Sequence, residues 1–459
     1  MAAVLTNPAP CPAAGADLHN HDRDRDLLVP LPVLREPYDA CTFDYEASGI
    51  DAPTADDGVC LREWIDVFRH STPTFARHIE QGAAHEVACA DERRRRAAQF
   101  SSSFAAALDA VLGARRRGEA PPGGLAEAVD PRTGRVTCIS LCRLRDAELR
   151  ALGLRDVFLR VKAEEDEAAL RLLPGVLRGL DAVADPRRRL ELAVRGVLAG
   201  NVFDLGAAAS AELFASGRGG GADAFCATRD ERLLPRPWAV DDLDALLGAL
   251  LAVPAPAGGE EGREEGEEEG KGGGRPSSSS AAYDKAVLFA DNAGSDVLLG
   301  LLPFARELLR LGVRDVVLAA NAHPTLNDTT AAELAPLLRR AAAAAAAAAD
   351  GGGCDPDAGL LPRAVASGRL RVVASGSGLP VGDLRHVSRE LAAEFEGSAA
   401  AGRVLLVLEG MGRGIETNLR ASFSCDALRI GVIKHPEVAR CLKGRLYDPV
   451  VRFTRGERI

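Results

Sequence analysis

The sequence has few aromatic residues and no long apolar run. Aromatic side chains make up 4% of the 459 positions. No segment reaches the roughly 18 to 20 consecutive apolar residues that a membrane-spanning helix needs. Residues 1–26 contain acids and lack an apolar stretch, which argues against a secretory signal or a transit peptide. We therefore expect a cytoplasmic protein without membrane partners.

The chain also lacks a net positive charge and a paired set of cysteines. Its formal net charge of -10 argues against a general nucleic-acid binder, which needs a basic face. Of the 10 cysteines, only Cys138 and Cys142 are close in sequence, and no second close pair completes a zinc site. Buried, reduced thiols are the expected state of these cysteines.

Four compositional segments divide the chain. Residues 1–28 are polar and rich in Pro and Ala, which predicts a disordered tail. Residues 29–250 repeat apolar side chains every three or four positions, which predicts a helical domain. Residues 251–282 contain mostly Gly, Glu and Ser and predict a flexible linker. The segment 283–459 has a different pattern.

Short apolar runs alternate with helical patterns in this last segment. The runs are 286–290, 315–320, 370–374, 404–408, 428–433 and 450–453. Such alternation is typical of βαβ units. The sequence thus predicts a helical N-terminal domain packed on a Rossmann-like, mainly parallel α/β domain. A poly-alanine tract at 341–349 extends the second long helix or the loop after it.

Polar residues follow each of the first five runs. In an open α/β sheet, ligands bind beyond the carboxyl ends of the strands. In chain order the runs are followed by Asp291 and Asn292; by Asn321, Asn327 and Asp328; by the loop SGSG at 375–378; by Glu409 in EGMGRG; and by Lys434. Their convergence at one edge predicts a functional site there.

Each of these residues also has a structural explanation. Asp291 and Asn292 could cap a helix. Thr330 and Glu333 have the spacing of a capping box, so Asp328 could belong to an ordinary helix entry. The glycines could form tight turns, and Lys434 could be solvated. Only their convergence favours the functional interpretation.

Together the residue types suit phosphoryl chemistry. Two carboxylates and an amide oxygen suit a hard divalent cation such as Mg²⁺ or Mn²⁺. Gly-rich loops offer backbone N–H groups to phosphate oxygens, and a lysine adds a point charge. Neither a P-loop nor a protein-kinase signature is present, which favours hydrolysis over transfer from ATP.

Several separated motifs resemble the damage-control phosphatases, a metal-dependent family. The matching stretches are DNAGSDVLLGLLPFARELL, NDTT, SGSGLPVGDL, EGMGRGIETNL and LRIGVIKH, with AGNVFDLGA and DVFLRVKAEEDEAA in the helical half. Within the family they resemble the branch that contains plant stand-alone proteins and the phosphatase domain fused to some pantothenate kinases. The EGMGR motif of that branch falls on 409–413.

The resemblance implies a metal site between the two domains. The family ligands fall on Asp291, Asn292 and Asp328, and the family accepts Mn²⁺, Ni²⁺, Co²⁺ or Mg²⁺. The branch is similar to enzymes that hydrolyse 4'-phosphopantetheine and its S-oxidised forms, including the sulfonate. The expected function is therefore a phosphomonoester hydrolase that removes damaged intermediates of coenzyme A metabolism.

We expect catalysis to depend on Asp291, Lys434 and Glu409. The nucleophile is either a metal-activated water or the Asp291 carboxylate. Lys434 is expected to neutralise the phosphate, and Glu409 to orient water or the leaving alcohol. The expected substrate-binding residues are Asn201, Asp204, Ser375, Gly376, Gly410, Gly412 and Arg413.

Other functions are compatible with the same residues. A non-catalytic sensor would use the pocket to bind a phosphorylated metabolite, and a phosphatase of sugar phosphates would differ only in substrate. A transferase would need a second substrate pocket, for which no motif is present. Protein carboxyl methylation, claimed for another branch of the family, is disfavoured by the EGMGR motif. The sequence does not define an oligomeric state.

Overall fold

The computed structural model describes residues 28–55, 58–203, 225–252, 281–349, 359–396 and 403–456. The predicted tail at 1–28 and the predicted linker at 251–282 lie almost entirely outside the described residues, and Asp204 lies outside them as well. The predictions for these segments remain predictions.

The region before residue 250 is mainly helical, as predicted. Its helices are α1 Leu61–Gly82, α2 Ala90–Arg116, α3 Cys138–Ala151, α4 Leu159–Asp181, α5 Pro186–Phe203 and α6 Leu243–Leu251. Short turns of 3-10 helix lie at Ala83–His85 and Gly123–Ala128, and a π-helical turn lies at Thr228–Arg232. Helix α3 begins with a reciprocal cap, because Thr137 Oγ1 accepts from the Ser140 N–H and Ser140 Oγ accepts from the Thr137 N–H.

Seven strands form one sheet. They are β1 Val240–Asp241, β2 Lys285–Phe289, β3 Asp315–Ala320, β4 Leu370–Ala374, β5 Val404–Glu409, β6 Asp426–Val432 and β7 Pro449–Thr454. The order is β1-β7-β6-β5-β2-β3-β4, and only the β6–β7 pair is antiparallel. The mainly parallel sheet and its six predicted strands are confirmed, whereas β1 was not predicted.

Helices connect the strands of this sheet. They are α7 Leu302–Arg310, α8 Ala331–Ala349, α9 Leu360–Ala366, α10 Arg389–Ala393 and α11 Pro436–Cys441. Two π-helical turns follow the strands β2 and β5, which lead into predicted site residues. These turns are Asp296–Leu301 and Met411–Glu416. The poly-alanine tract is the last part of α8, and its residues Ala341, Ala342 and Ala345 lie on the buried face of the helix.

Both faces of the sheet are covered. Alternate side chains of a strand point to opposite faces, so β2 contributes Val287 and Phe289 to one hydrophobic cluster and Ala286 and Leu288 to another. The first cluster also contains residues of α1, α2 and α3, and the second contains residues of α4, α5 and α6. Each cluster therefore combines residues from before 250 and after 283, and the helical region packs on the sheet as predicted.

The strand order defines where a ligand can bind. From β2 the chain continues to β3 and β4 on one side, and then returns to β5 on the other side of β2. The carboxyl ends of β2 and β5 therefore flank the topological switch point, at which open α/β sheets form a crevice. None of the helices in the described ranges is long and apolar enough to cross a bilayer.

Candidate active site

A cavity of about 410 Å³ opens at this edge of the sheet. The residues after the strands contribute a polar side to its lining, namely Asp291, Asn292, Asn327, Asp328, Gly412, Glu416 and Lys434. Helices α1, α3 and α4 contribute most of the rest, including Trp64, Phe68, Phe75, Cys138, Cys142, Arg145 and Val161. The cavity thus has a polar side and a largely apolar side.

The turn after β2 holds Asp291 and Asn292 in place. Gly294 has a φ of +73°, and a Cβ there would lie 2.7 Å from Cβ of Glu165 on α4. Its backbone N–H donates to Asp166 at 2.7 Å, and burial raises the pKa of Asp166 to about 6. Only glycine allows α4 to approach the turn this closely. Helix α4 therefore helps to fix the turn that carries the two predicted ligands.

Three carboxylates meet at the end of β2. Oxygens of Asp291, Asp296 and Glu409 lie within 4.8 Å of one another, and all three residues are buried. Burial, together with the charges of Asp296 and Asp291, raises the pKa of Glu409 well above its usual value. The Asp291 N–H also donates to Glu409 Oε2 at 2.9 Å. We call these three residues the carboxylate triad.

Asn201 of α5 donates to every member of the carboxylate triad. Its Nδ2 lies 3.4 Å from Asp291, 3.1 Å from Asp296 and 3.2 Å from Glu409. Its Oδ1 accepts from the Val432 N–H at 3.1 Å, which directs the amide N–H groups toward the carboxylates. The side chain is completely buried. Asn201 thus partly offsets the repulsion between three buried anions.

Two glycines allow this close approach. A Cβ at Gly200 would lie 2.9 Å from Cα of Asp296, so α5 packs directly on the turn that carries Asp296. Gly410 has a φ of +96°, and a Cβ there would lie 2.2 Å from Asp291 Oδ2. No residue with a side chain fits at either position without displacing the triad.

Arg413 joins Asp291 to Asp328. Its guanidinium donates to Asp291 Oδ1 and, at 2.5 Å, to Asp328 Oδ2, and it also donates to Asn321 Oδ1 at 2.9 Å. Burial lowers the pKa of Arg413, but the charges of Asp328 and Asp291 outweigh burial and the net shift is upward. Arg413 therefore contacts two of the predicted metal ligands.

Asp328 is not the cap of the helix that follows it. The capping box at the start of α8 is formed by Thr330 and Glu333, whose side chains bond each other's backbone N–H groups at 2.9 and 3.3 Å. The Asp328 carboxylate instead accepts from Asn321 at 3.0 Å as well as from Arg413. An isolated backbone bridge also joins Asn292 to Asp328. The two loops that carry the predicted ligands therefore adjoin.

The predicted residues occupy three kinds of position. Those that line the cavity are Asp291, Asn292, Asp328, Gly412 and Lys434. Those that lie behind it, around the Asp291 carboxylate, are Asn201, Glu409, Gly410 and Arg413. Ser375 and Gly376 belong to neither group, because the cavity lining does not include them.

Ser375 and Gly376 have visible structural roles. Ser375 Oγ accepts from the Ser377 N–H at 3.2 Å, and Gly376 has a φ of +87°. A Cβ at Gly376 would lie 2.7 Å from both Leu28 Cδ2 and the Ser388 backbone nitrogen. The glycine thus permits a tight loop next to the start of the described chain.

The sequence analysis missed several site residues. Asp296 begins the π-helical turn after β2, and Asn292 Nδ2 donates to its Oδ2 at 2.8 Å. A second carboxylate so soon after Asp291, in the stretch DNAGSD, is the signal that could have identified Asp296. Cys138 and Arg145 line the cavity from a segment that no motif marks, whereas Glu416 lies in the stretch EGMGRGIETNL but was not singled out.

Glu416 has an unusual environment. Burial raises its pKa to about 7, and the Cys138 thiol donates to its Oε2 at 3.3 Å. His435, which also lines the cavity, has its pKa lowered to about 4 by burial and by Lys434. His435 is therefore neutral near pH 7, and Lys434 provides a positive charge at this side of the cavity.

Comparison with known proteins identifies the family. The sequence profile of the Damage-control phosphatase ARMT1-like domain matches residues 65–450. The chain belongs to this family. It is 39% identical over 430 residues to Damage-control phosphatase At2g17340 of Arabidopsis thaliana, covering 93% of this chain and 97% of that protein.

Two longer relatives and one solved structure extend the comparison. Pantothenate kinase 2 of Arabidopsis thaliana is 35% identical over 419 residues, covering 89% of this chain but 40% of that protein. The 4'-phosphopantetheine phosphatase of Mus musculus is 28% identical over 364 residues, covering 70% of this chain and 39% of that protein. A DUF89 family protein from Pyrococcus horikoshii has the same fold, with a TM-score of 0.50 and 16% identity. The match covers 86% of this chain and 98% of that chain.

Proposed function

We propose that this ARMT1-like phosphatase is a metal-dependent hydrolase of a small phosphomonoester, with 4'-phosphopantetheine and its S-oxidised forms as the preferred substrates. The observation that carries the proposal is the position of Asp291. Its carboxylate belongs to the buried carboxylate triad, and the same residue lines the cavity together with Asn292, Asp328 and Lys434.

The residues at this position fit a hard divalent cation. The ligand set consists of Asp291, Asn292 and Asp328 at the cavity, with Asp296 and Glu409 close behind. Carboxylate and amide oxygens are the ligands that Mg²⁺ and Mn²⁺ prefer. Burial and then the charges of Asp296 and Asp291 raise the pKa of Glu409, and a cation would offset that negative charge. When bound, such a cation supplies Lewis-acid stabilisation of charge on a phosphoryl oxygen.

The protein's own residues have separate roles in this proposal. Lys434 lines the same polar side of the cavity as Asp291 and neutralises the phosphoryl group, and Gly412 lines that side as well. Glu409 and Asn201 hold the Asp291 carboxylate in position, since both bond it or its backbone. Either water or the Asp291 carboxylate attacks phosphorus; we propose water, because no second aspartate follows Asp291 at the DxD spacing.

The shape and lining of the cavity support an extended, partly apolar substrate. Aromatic rings of Trp64, Phe68, Phe75 and Phe158 line the side formed by α1 and the start of α4. A pantetheine arm has methyl groups and methylenes that such a wall can bury. A sugar phosphate would instead place hydroxyl groups against these rings, which offer them no hydrogen bonds. The similarity to a mouse 4'-phosphopantetheine phosphatase supports the same substrate class.

A phosphate-release panel tests the proposal. The substrates are 4'-phosphopantetheine, its sulfonate and a set of sugar phosphates, each with Mn²⁺, Ni²⁺, Co²⁺ or Mg²⁺ and with a chelator. We expect release from the pantetheine esters to exceed release from the sugar phosphates, and to stop when the metal is chelated. Preference for a sugar phosphate would contradict the assigned substrate. Tight binding without release from any ester would favour a phosphometabolite sensor.

A further inference from the structure

Arg145 is a buried cation in the apolar wall of the cavity. It lies on α3, it is 7% exposed, and it lines the cavity. Its guanidinium carbon lies 4.7 Å from the ring centroid of Phe75 and 5.3 Å from that of Phe68. These distances are typical of cation–π contacts, which hold a guanidinium flat against an aromatic face. The charge is thus fixed in position.

The neighbours of Arg145 leave most of its hydrogen-bonding capacity unused. Its one recorded hydrogen bond goes to the Cys142 thiol at 3.8 Å, and a thiol is a weak acceptor. Among the residues that the structure describes, no carboxylate lies within ion-pair distance of Arg145, whereas Arg413 has two such partners. Glu416 is near enough to feel its charge but forms no ion pair with it. No nitrogen of Arg145 is both fully buried and without a partner, so its remaining N–H groups face the cavity, where an acceptor can reach them.

Arg145 lies at the junction of two cavities. Besides the main cavity, it lines a smaller one together with Phe75, Phe158 and Leu326. The lining of the smaller cavity contains neither a member of the carboxylate triad nor Lys434. That cavity measures only about 20 Å³ and is also lined by Asp146 and Asp156, so a second anionic group held by Arg145 lies in the main cavity, on the wall formed by α1 and α3 rather than at the strand ends.

Polar side chains accompany Arg145 on the helical side of the cavity. Ser71, Thr74 and His78 lie on one face of α1, and all three line the cavity and are half-buried. Their spacing of three and four residues places them in one row. Thr74 and His78 can donate hydrogen bonds to an oxygen-rich group held by Arg145, whereas the Ser71 hydroxyl donates to the Phe68 carbonyl at 2.7 Å.

We propose that Arg145 binds a second anionic group of the substrate, distinct from the phosphate that is hydrolysed. The chemical class is a carboxylate or a sulfur oxyacid, whose oxygens can accept two parallel bonds from a guanidinium. Arg145 is thus a specificity-determining residue that favours phosphomonoesters with an anionic far end over those with a neutral one. The inference rests on the proposed phosphatase function.

The test compares two substrates that differ only at the far end. Initial rates are measured with 4'-phosphopantetheine, which ends in a neutral thiol, and with its sulfonate. For Arg145→Met we expect kcat/KM to fall about 10- to 100-fold for the sulfonate, as for the loss of hydrogen bonds to a charged group, and less than about 3-fold for the thiol. Arg145→Lys keeps the charge but not the two parallel bonds, so an intermediate loss is expected.

Arg143→Met is the matched control, because Arg143 lies on the same helix and lines neither cavity. This variant should leave kcat/KM unchanged for both substrates. An equal fall for both substrates in Arg145→Met would show that Arg145 acts on the phosphate or on the fold, and would overturn the proposal. Unchanged rates for both would overturn it as well.

Binding without turnover separates this inference from the proposed function. Calorimetric titration with pantetheine and with pantetheine sulfonate, neither of which carries a phosphate, measures the subsite directly. We expect the sulfonate to bind more tightly to the wild type, and this preference to disappear in Arg145→Met or, if that variant does not fold, to shrink in Arg145→Lys. If the wild type releases no phosphate but shows this preference, the proposed function fails and the subsite stands. Equal affinities in the wild type would overturn the subsite.

Discussion

The side-chain nitrogen of Asn201 lies 3.2 Å from Oε1 of Glu409, although 208 positions separate the two residues. One comes from the helical region and the other from the end of a central strand of the sheet. The same amide bonds Asp291 and Asp296. The carboxylate triad is therefore completed by a residue from the helical half, and the segment 283–459 alone does not contain all of the site.

Asn201→Asp should make the protein more dependent on divalent cations. The substitution adds a fourth carboxylate to three buried ones, and like charges in a buried cluster repel each other. In a chelating buffer we expect destabilisation by about 2–4 kcal/mol, the range for an unpaired buried charge. Added Mn²⁺ should raise the Tm of this variant more than that of the wild type. Equal Mn²⁺-induced shifts, measured by differential scanning calorimetry, would mean that no cation binds next to Asn201.

Gly410→Ala should impair the site more than the fold. The new Cβ would lie 2.2 Å from Asp291 Oδ2, and the φ of +96° adds a backbone cost of about 1–3 kcal/mol. We expect phosphate release to fall by at least about 100-fold, because displacement of a catalytic group by about 1 Å costs that much.

Gly248→Ala is the matched control for this glycine. Gly248 lies within α6, and a Cβ there would meet nothing within 4 Å. The change should stabilise the protein by about 0.5–1 kcal/mol and leave the rate unchanged. A Gly410→Ala variant as active as Gly248→Ala would show that the Asp291 carboxylate does not need its present position.

The strands and the location of the site follow from local sequence patterns. The run at 315–320 matches β3 residue for residue, because a buried parallel strand is a nearly continuous apolar segment between polar turns. The run at 370–374 also matches β4, although β4 is a partly buried edge strand that contains Arg371. Asp291 and Asp328 were identified as site residues because each follows such a strand. The short β1 has no comparable run, since only Val240 and Asp241 pair with the sheet.

The far side of the cavity does not follow from local patterns. Arg145 and Cys142 lie in an ordinary amphipathic helix, and their position at the cavity results from how α3 packs on the sheet. Likewise Arg413 was expected to bind substrate, whereas its guanidinium contacts Asp291 and Asp328. Which charged groups pair with each other depends on tertiary structure, and the sequence does not encode it in spacing.

Asp328→Asn should weaken Mn²⁺ binding more than Asp296→Asn does. Asp328 lines the cavity, whereas the cavity lining does not include Asp296. A direct ligand therefore fits residue 328 better, and a supporting role fits residue 296. We expect the Mn²⁺ affinity to fall by more than about 100-fold in Asp328→Asn. In Asp296→Asn it should fall by about 10- to 100-fold, the range for residues that orient ligands. The reverse order in isothermal titration would place the ion within the carboxylate triad.

Glu416→Gln should change how stability depends on pH. Burial raises the pKa of Glu416 to about 7 from 4.5, so the folded protein holds this proton more tightly than the unfolded chain does. The associated stability is complete below about pH 4.5 and is lost as the pH rises through 7. Relative to Glu416→Gln, the wild type should lose about 3 kcal/mol between pH 5 and pH 8. Denaturant unfolding at several pH values measures this difference, and parallel pH profiles for the two proteins would contradict it.

The most direct test is phosphate release by Asp291→Ala as a function of Mn²⁺ concentration, beside Asp315→Ala. Asp315 begins β3 at the opposite edge of the sheet, so its removal controls for the loss of a carboxylate. We predict that the wild type and Asp315→Ala release phosphate in a Mn²⁺-dependent manner, and that folded Asp291→Ala releases none at any Mn²⁺ concentration. Release by Asp291→Ala at the wild-type rate would contradict the assignment of the active site.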